Sequence, residues 1–142
     1  MEKFYSDCQK YHLRITPQRV AIYEALMNDN SHPSADAVYQ KVKTKCPNIS
    51  LDTVNRTLIN FSERGMIDTV ACSGHGRKYD PNSNPHHHLK CIKCGKIIDF
   101  TNNRYDKLKI PEEIKEKFTV LGKRVVLTGI CKNCTTKRTA RC

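Results

Sequence analysis

The chain has 142 residues, 38% of them hydrophobic, with a formal net charge of +11 and eight cysteines. That length suits one domain or two small ones, and the charge points to a polyanionic partner. No apolar run approaches the ~18 residues a membrane span needs and Met1–Asp7 lacks the apolar segment of a signal peptide, so a cytoplasmic location is expected, where cysteines signal metal binding or redox sensing more than disulfides.

The charge is unevenly spread. Residues 1–80 hold 11 Lys/Arg against 9 Asp/Glu, and residues 81–142 hold 14 against 5. The excess sits with the cysteines, where four thiolates on one Zn²⁺ would cancel about two charges. Charge alone therefore does not say which half meets a nucleic acid.

The first half reads as short helices. Residues 2–13 carry Phe4, Cys8 and Tyr11 at helical spacing. Thr16-Pro17 is a start signal, Thr as N-cap and Pro at the first helical position, and the helix that follows has the apolar stripe Val20, Tyr23, Leu26 and Met27, ending at Asn28-Asp29-Asn30. Ser34 caps a third helix with Ala35, Val38, Tyr39, Val42 and Cys46 on its apolar face, stopped by Pro47. Ser50 caps a fourth, with Leu51, Val54, Leu58 and Phe61, and Gly65 beyond its end. Only Pro47–Ser50 separates the last two, a helix-turn-helix pattern. Met66–Ala71, the turn Ser73–Gly76 and Arg77–Tyr79 then predict a β-hairpin. The sum reads as a winged helix, with a generic helical bundle carrying a stray hairpin as the alternative.

Asp80–Pro85 has the composition of a linker. Beyond it, His88–Lys90, Lys96–Phe100 and Lys123–Ile130 are predicted strands, the last alternating Val125, Leu127 and Gly129 with Val126, Thr128 and Ile130. Pro111-Glu112-Glu113 opens a helix with acids where the dipole favours them. The expected fold class is α+β: a winged helix-turn-helix domain over 1–80, a linker over 81–85, and a small α/β domain over 86–142.

Two Cys-x-x-Cys pairs, Cys91/Cys94 and Cys131/Cys134, are separated by 36 residues. Two thiolates three residues apart can bind one tetrahedral Zn²⁺ from a tight turn, and two such pairs complete the site. A redox pair would need only one of them. Cys46 lies on an apolar face and is assigned to the core; Cys8, Cys72 and Cys142 carry no assigned role. In a strand, His86 and His88 point to one face and His87 to the other. Two imidazoles near Asp80 and Asp99 offer a mixed N/O site suited to Fe²⁺, Mn²⁺ or Zn²⁺. His32 alone reads as an ordinary surface or capped histidine.

Arg14-Ile15-Thr16-Pro17-Gln18-Arg19, His32-Pro33-Ser34-Ala35-Asp36, Thr53-Val54-Asn55-Arg56-Thr57-Leu58, His86-His87-His88, Cys91-x-x-Cys94-Gly95-Lys96 and Cys131-x-x-Cys134 follow one another in an order and spacing that resembles the ferric uptake regulator family, most of all its peroxide-sensing branch. The resemblance implies a homodimer that binds double-stranded operator DNA through the winged helix and dimerises through the α/β domain. It implies structural Zn²⁺ on Cys91, Cys94, Cys131 and Cys134, and a regulatory Fe²⁺ or Mn²⁺ on His32, Asp80, His86, His88 and Asp99. Aspartate at 99, where iron-uptake members typically have glutamate, implies peroxide sensing, with oxidation falling on His32 and His86. Thr53, Asn55, Arg56, Arg77 and Lys78 are the expected DNA-contacting residues. Two departures stand out. Asn55 replaces the family's usual tyrosine, and asparagine can bond adenine bidentately. The stretch 121–124 holds no histidine, which leaves a third metal site without support.

The expected function is thus a metal-dependent transcriptional repressor responding to peroxide, with a sensor of iron, manganese or zinc availability as the alternative. An enzyme is not expected. A zinc hydrolase built on the His/Asp cluster is the remote rival, since no residue stands out as a general base; a zinc-ribbon interaction module without regulatory metal is the other.

Overall fold

The computed structural model describes residues 1–70 and 76–139. It divides into two compact units, Met1–Ser83 and Asn84–Cys142. Among the described residues no helix is long and apolar enough to cross a membrane.

The first unit holds α1 (Glu2–Lys10), α2 (Pro17–Met27), α3 (Ala35–Lys45), α4 (Leu51–Glu63), β1 (Asp68–Val70) and β2 (Lys78–Asp80). Three helices start on a hydroxyl cap. Thr16 accepts the Arg19 N–H at 3.3 Å, Ser34 that of Ala37 at 3.3 Å, and Ser50 that of Thr53 at 3.1 Å. Each cap satisfies one of the N–H groups a helix start leaves unbonded. α4 stops where Gly65 takes φ +72°, which lets Met66 N–H bond back to the Phe61 carbonyl at 2.9 Å. β1 and β2 pair antiparallel, Thr69 opposite Tyr79. This is the expected winged helix-turn-helix; the hairpin tip Ser73–His75, with Ala71 and Cys72, lies outside the described residues, as does Cys142.

Three expectations shift. The first helix ends at Lys10 rather than residue 13, because His12 reverses the chain at φ +52° and Leu13 N–H returns to the Cys8 carbonyl. In α2 the buried residues are Ala21, Ile22, Tyr23 and Leu26, with Val20 and Met27 at the margin. The helix packs on both α3 and α4, so its buried arc is wider than one stripe. Leu51, on the apolar stripe of α4, is 39% exposed because the first turn overhangs the core that buries Val54, Leu58 and Phe61. At the centre of that core Phe4 stacks on Tyr23 at 4.7 Å between ring centroids, and Phe61 meets both edge-on.

The second unit holds β3 (His87–Cys91), β4 (Ile97–Phe100), α5 (Asn103–Asp106), α6 (Glu112–Lys117), β5 (Val126–Gly129) and α7 (Lys132–Thr139). The sheet order is β4-β3-β5, antiparallel on one side of β3 and parallel on the other. The parallel pairing needs a crossover, which α5 and α6 supply. The alternation expected along β5 does not become burial in the single chain: Val126, Leu127 and Ile130 are all exposed. Neither α5 nor α7 was expected from periodicity. Asn102 caps α5 by accepting the Arg104 N–H at 2.9 Å.

Candidate metal centres and nucleic-acid face

The knuckle after β3 is built by its own backbone. Cys91 N–H bonds the Lys96 carbonyl and Gly95 N–H the Cys91 carbonyl, with Gly95 at φ +74°. Cys131 precedes α7 and Cys134 lies in its first turn, where its N–H bonds the Cys131 carbonyl at 3.0 Å. The parallel register sets Cys91 opposite Gly129, two residues short of Cys131. Pairing of β3 with β5 thus brings together two cysteine pairs far apart in sequence.

The four sulfurs lie within 4.8 Å of one another, and Cys94 Sγ is 3.8 Å from Cys131 Sγ. A tetrahedron with Zn–S bonds of about 2.3 Å has edges of about 3.8 Å, so the donor set and spacing suit zinc. The electrostatics agree. The N–H groups of Cys131 and Cys94 hold the Cys91 thiol down at about 6, whereas hydrogen bonding to Cys131, then burial, push Cys134 up to about 12. Four clustered thiolates repel, and a dication is what lets all four ionise.

The His/Asp residues form one group in each unit. In the second, Asp99 on β4 is the cross-strand neighbour of His88 on β3, and His86 lies two residues earlier on the same face. His86 Nε2 is 2.9 Å from His88 Nε2 and 3.5 Å from Asp99 Oδ1; His88 Nε2 is 3.3 Å from the same oxygen. Ligand bonds of about 2.1 Å at right angles space donors about 3.0 Å apart, so the three atoms fit one face of a metal's coordination sphere. His86 Nδ1 donates to the Asn84 carbonyl at 2.6 Å, which makes Nε2 the nitrogen that could hold a metal. In the first unit His32 Nε2 stands 3.6 Å from Asp80 Oδ2, both side chains buried, and Asp80 Oδ1 accepts the Asn82 N–H at 2.8 Å. A carboxylate and an imidazole buried side by side are a pair a cation would stabilise.

His87 turns the other way, as the strand alternation predicts. Val125 N–H donates to its Nδ1 at 3.1 Å, so Nε2 carries the proton and donates to Asp106 at 2.8 Å. It is a buried tie between β3, α5 and the start of β5, and Asp106 gave no sequence signal for it.

On the first unit, Asn55 and Arg56 are exposed on α4, and Arg56 lies 3.5 Å from Asp52 one turn earlier. Asn55 and Arg77 line a groove of about 490 Å³ with Ser34, Asp36, Leu51 and Asp52. Lys78 is half-buried in β2. Thr53 stands apart: its N–H and hydroxyl both meet Ser50 Oγ, so the side chain is occupied in the cap. Leu51, expected on the apolar face of α4, lines this groove instead, and Asp52 beside it gave no sequence signal.

Residues 10–128 match the ferric uptake regulator family. The peroxide-responsive repressor PerR of Staphylococcus epidermidis is 35% identical over 134 residues, covering 94% of this chain and 89% of that protein. Among solved structures, the Campylobacter jejuni peroxide stress regulator is similar at TM-score 0.68 and 29% identity, over 89% of this chain and 95% of that one. The Helicobacter pylori ferric uptake regulator Fur, which has three functional metal binding sites, is similar in fold at TM-score 0.76 and 24% identity, over 94% and 90% of the two chains. A family match across four-fifths of the length, a relative at that identity and a shared fold give one conclusion: the chain belongs to the ferric uptake regulator family.

Proposed function

We propose that this protein is a metal-dependent DNA-binding repressor that responds to peroxide. The observation that carries the reading is the convergence of His86 Nε2, His88 Nε2 and Asp99 Oδ1 within 2.9–3.5 Å on one sheet face, in a member of this family. Two imidazoles and a carboxylate suit divalent iron or manganese. His32 and Asp80 of the first unit complete the regulatory set, so that one Fe²⁺ or Mn²⁺ joins the winged helix of residues 1–80, through the linker 81–85, to the domain of residues 86–142. The name of the Staphylococcus epidermidis relative supports the peroxide branch, as does aspartate at position 99.

The roles of the chain's own residues follow. Cys91, Cys94, Cys131 and Cys134 hold structural Zn²⁺. The apolar side chains exposed on the sheet face away from His88, among them Leu89, Ile98 and Leu127, form the homodimer interface. In the dimer two α4 helices meet successive major grooves of double-stranded DNA, and metal sets their separation to the half-site spacing. Asn55 and Arg56 face base edges, Arg77 and Lys78 face phosphates, and Thr53 holds the start of the helix. Metal affinity and operator affinity are then coupled reciprocally. Such a regulator works where the DNA is, in the cytoplasm.

Held by these residues, divalent iron would supply the redox chemistry by which H₂O₂ takes two electrons from a ligand imidazole, with no net change at the iron. One oxygen enters the imidazole carbon of His32 or His86 in place of C–H, giving C–OH, and the other leaves as water. The oxidised ring is a poorer ligand, and the metal and then the operator are released.

The test selects an operator from random duplex DNA with Mn²⁺-loaded protein, then exposes Fe²⁺-loaded protein to H₂O₂. One oxygen mass on the His32 or His86 peptide, with operator release, is expected. Release without an adduct, or no release at all, overturns the peroxide reading.

A further inference from the structure

His32 has φ +56°, one of two non-glycine residues with positive φ among those described. The left-handed region is unfavourable for a side chain with a Cβ, and such residues persist where the surroundings over-determine them. Two ties bracket His32. Downstream, the Pro33 carbonyl accepts the Tyr79 N–H of β2 at 3.0 Å, and Ser34 bridges to Lys78 and caps α3. Upstream, Asp29 Oδ1 accepts the N–H of Ser31 at 2.9 Å and also its hydroxyl, while Oδ2 accepts Lys41 Nζ, from α3, at 2.5 Å. The hook therefore closes the Asp29–His32 turn on itself and fastens it to a helix.

The Asp29 side chain is 11% exposed, while the lysine is half-exposed. Burial would raise the Asp29 carboxyl, but hydrogen bonds from Lys41 and Ser31 outweigh it and hold the group at about 2. It is ionised throughout the physiological range and binds the lysine as a charge-assisted pair.

We propose that Asp29 and Lys41 are positioning residues for His32: their pair fastens the 29–32 turn so that His32 keeps the left-handed backbone that aims its imidazole at the regulatory metal beside Asp80. The proposal rests on the reading of His32 as a ligand. With the hook open, His32 relaxes toward negative φ and its Nε2 leaves the neighbourhood of Asp80. Only a fraction of molecules then present the ligand, and apparent metal affinity falls by that fraction.

The test uses full-length, zinc-loaded protein and Mn²⁺ as a probe inert to oxidation. Titration calorimetry on Asp29→Ala and Lys41→Met is expected to show about tenfold weaker Mn²⁺ binding, with Lys41→Arg restoring most of it. A second readout is the ratio of oxygen adduct on His32 to that on His86 after Fe²⁺ and H₂O₂. Loss of positioning lowers this ratio, whereas loss of stability alone leaves it unchanged. Half-exposed Lys41 keeps the test intact should Asp29→Ala fail to fold. His32→Ala separates the two ways of failing. Unchanged Mn²⁺ affinity in that variant overturns His32 as a ligand, and the positioning role with it. Weakened affinity in His32→Ala beside unchanged affinity and adduct ratio in Asp29→Ala and Lys41→Met overturns the positioning role alone.

Discussion

The two units are held together by different means. The first buries Phe4, Ile22, Leu26, Val54, Leu58, Phe61 and their neighbours in one continuous cluster. The second buries two apolar side chains among its described residues, Cys91 and Ile97, and leaves Leu89, Ile98, Phe118, Leu121, Val126 and Leu127 in the open. One unit has the core of an independent domain. The other has a sheet, a crossover and four converging thiols, and below about 70 residues such a body relies on a metal, a disulfide or a partner. The lesson is that folding and sensing are divided. The unit proposed to read DNA has a core of its own, while the unit with most of the candidate metal donors depends on what it binds.

The sharpest way to break this contrast is to remove the cysteine site. Structural zinc contributes on the order of 10 kcal/mol in small domains, so Cys131→Ser should cost the second unit its amide exchange protection and leave α2, α3 and α4 protected. Loss of protection in both units together would mean that they are not separately stabilised. The converse experiment is Phe61→Ala. Removing a buried aromatic costs about 3–5 kcal/mol; calorimetry should show a lower transition for the first unit, and metal analysis an unchanged zinc content.

Acid sharpens the comparison further. Asp29 titrates at about 2 in the folded chain against 3.8 ordinarily, so its contribution is complete above pH 4 and disappears as pH falls through 2. The contribution is about 1–2 kcal/mol. Urea unfolding of the first unit should therefore separate the protein from Lys41→Met at pH 6 and bring them together near pH 2; a constant gap over that range would exclude the ion pair as its source. The smallest effect is at a cap. Ser50→Ala should cost about 1 kcal/mol, visible as a small drop in the first unit's urea midpoint with no change in metal affinity.

Much of the first unit was legible in sequence because its signals are local. Thr16, Ser34 and Ser50 announce helix starts three residues ahead of the N–H groups they satisfy, and each does so in the structure. Burial was less legible, since it depends on neighbours the sequence does not name. Ala21 and Ile22 are core because α2 has two partners, and Leu51 is exposed because it lines an open groove at the start of α4. In the second unit α7 escaped notice because its sequence, KNCTTKRT, has no apolar face; two cysteines at its start are its anchor. The cysteine pairs could be read from spacing, and the histidines from type and alternation. The tie of Asp29 to Lys41, twelve residues apart, and that of His87 to Asp106 could not, because nothing within either residue's own turn points to its partner.

The pairing of His88 with Asp99 would make the proposed metal centre a proofreader of the sheet. Sliding β4 by one residue against β3 would set Ile98 or Phe100 opposite His88 and turn the carboxylate to the far side. A misregistered chain would keep most of its hydrogen bonds yet have no third donor to offer. Under the proposed function, metal capture would then certify correct assembly before it reports anything about the cell, and a chain that fails the inspection would stay silent at its operator.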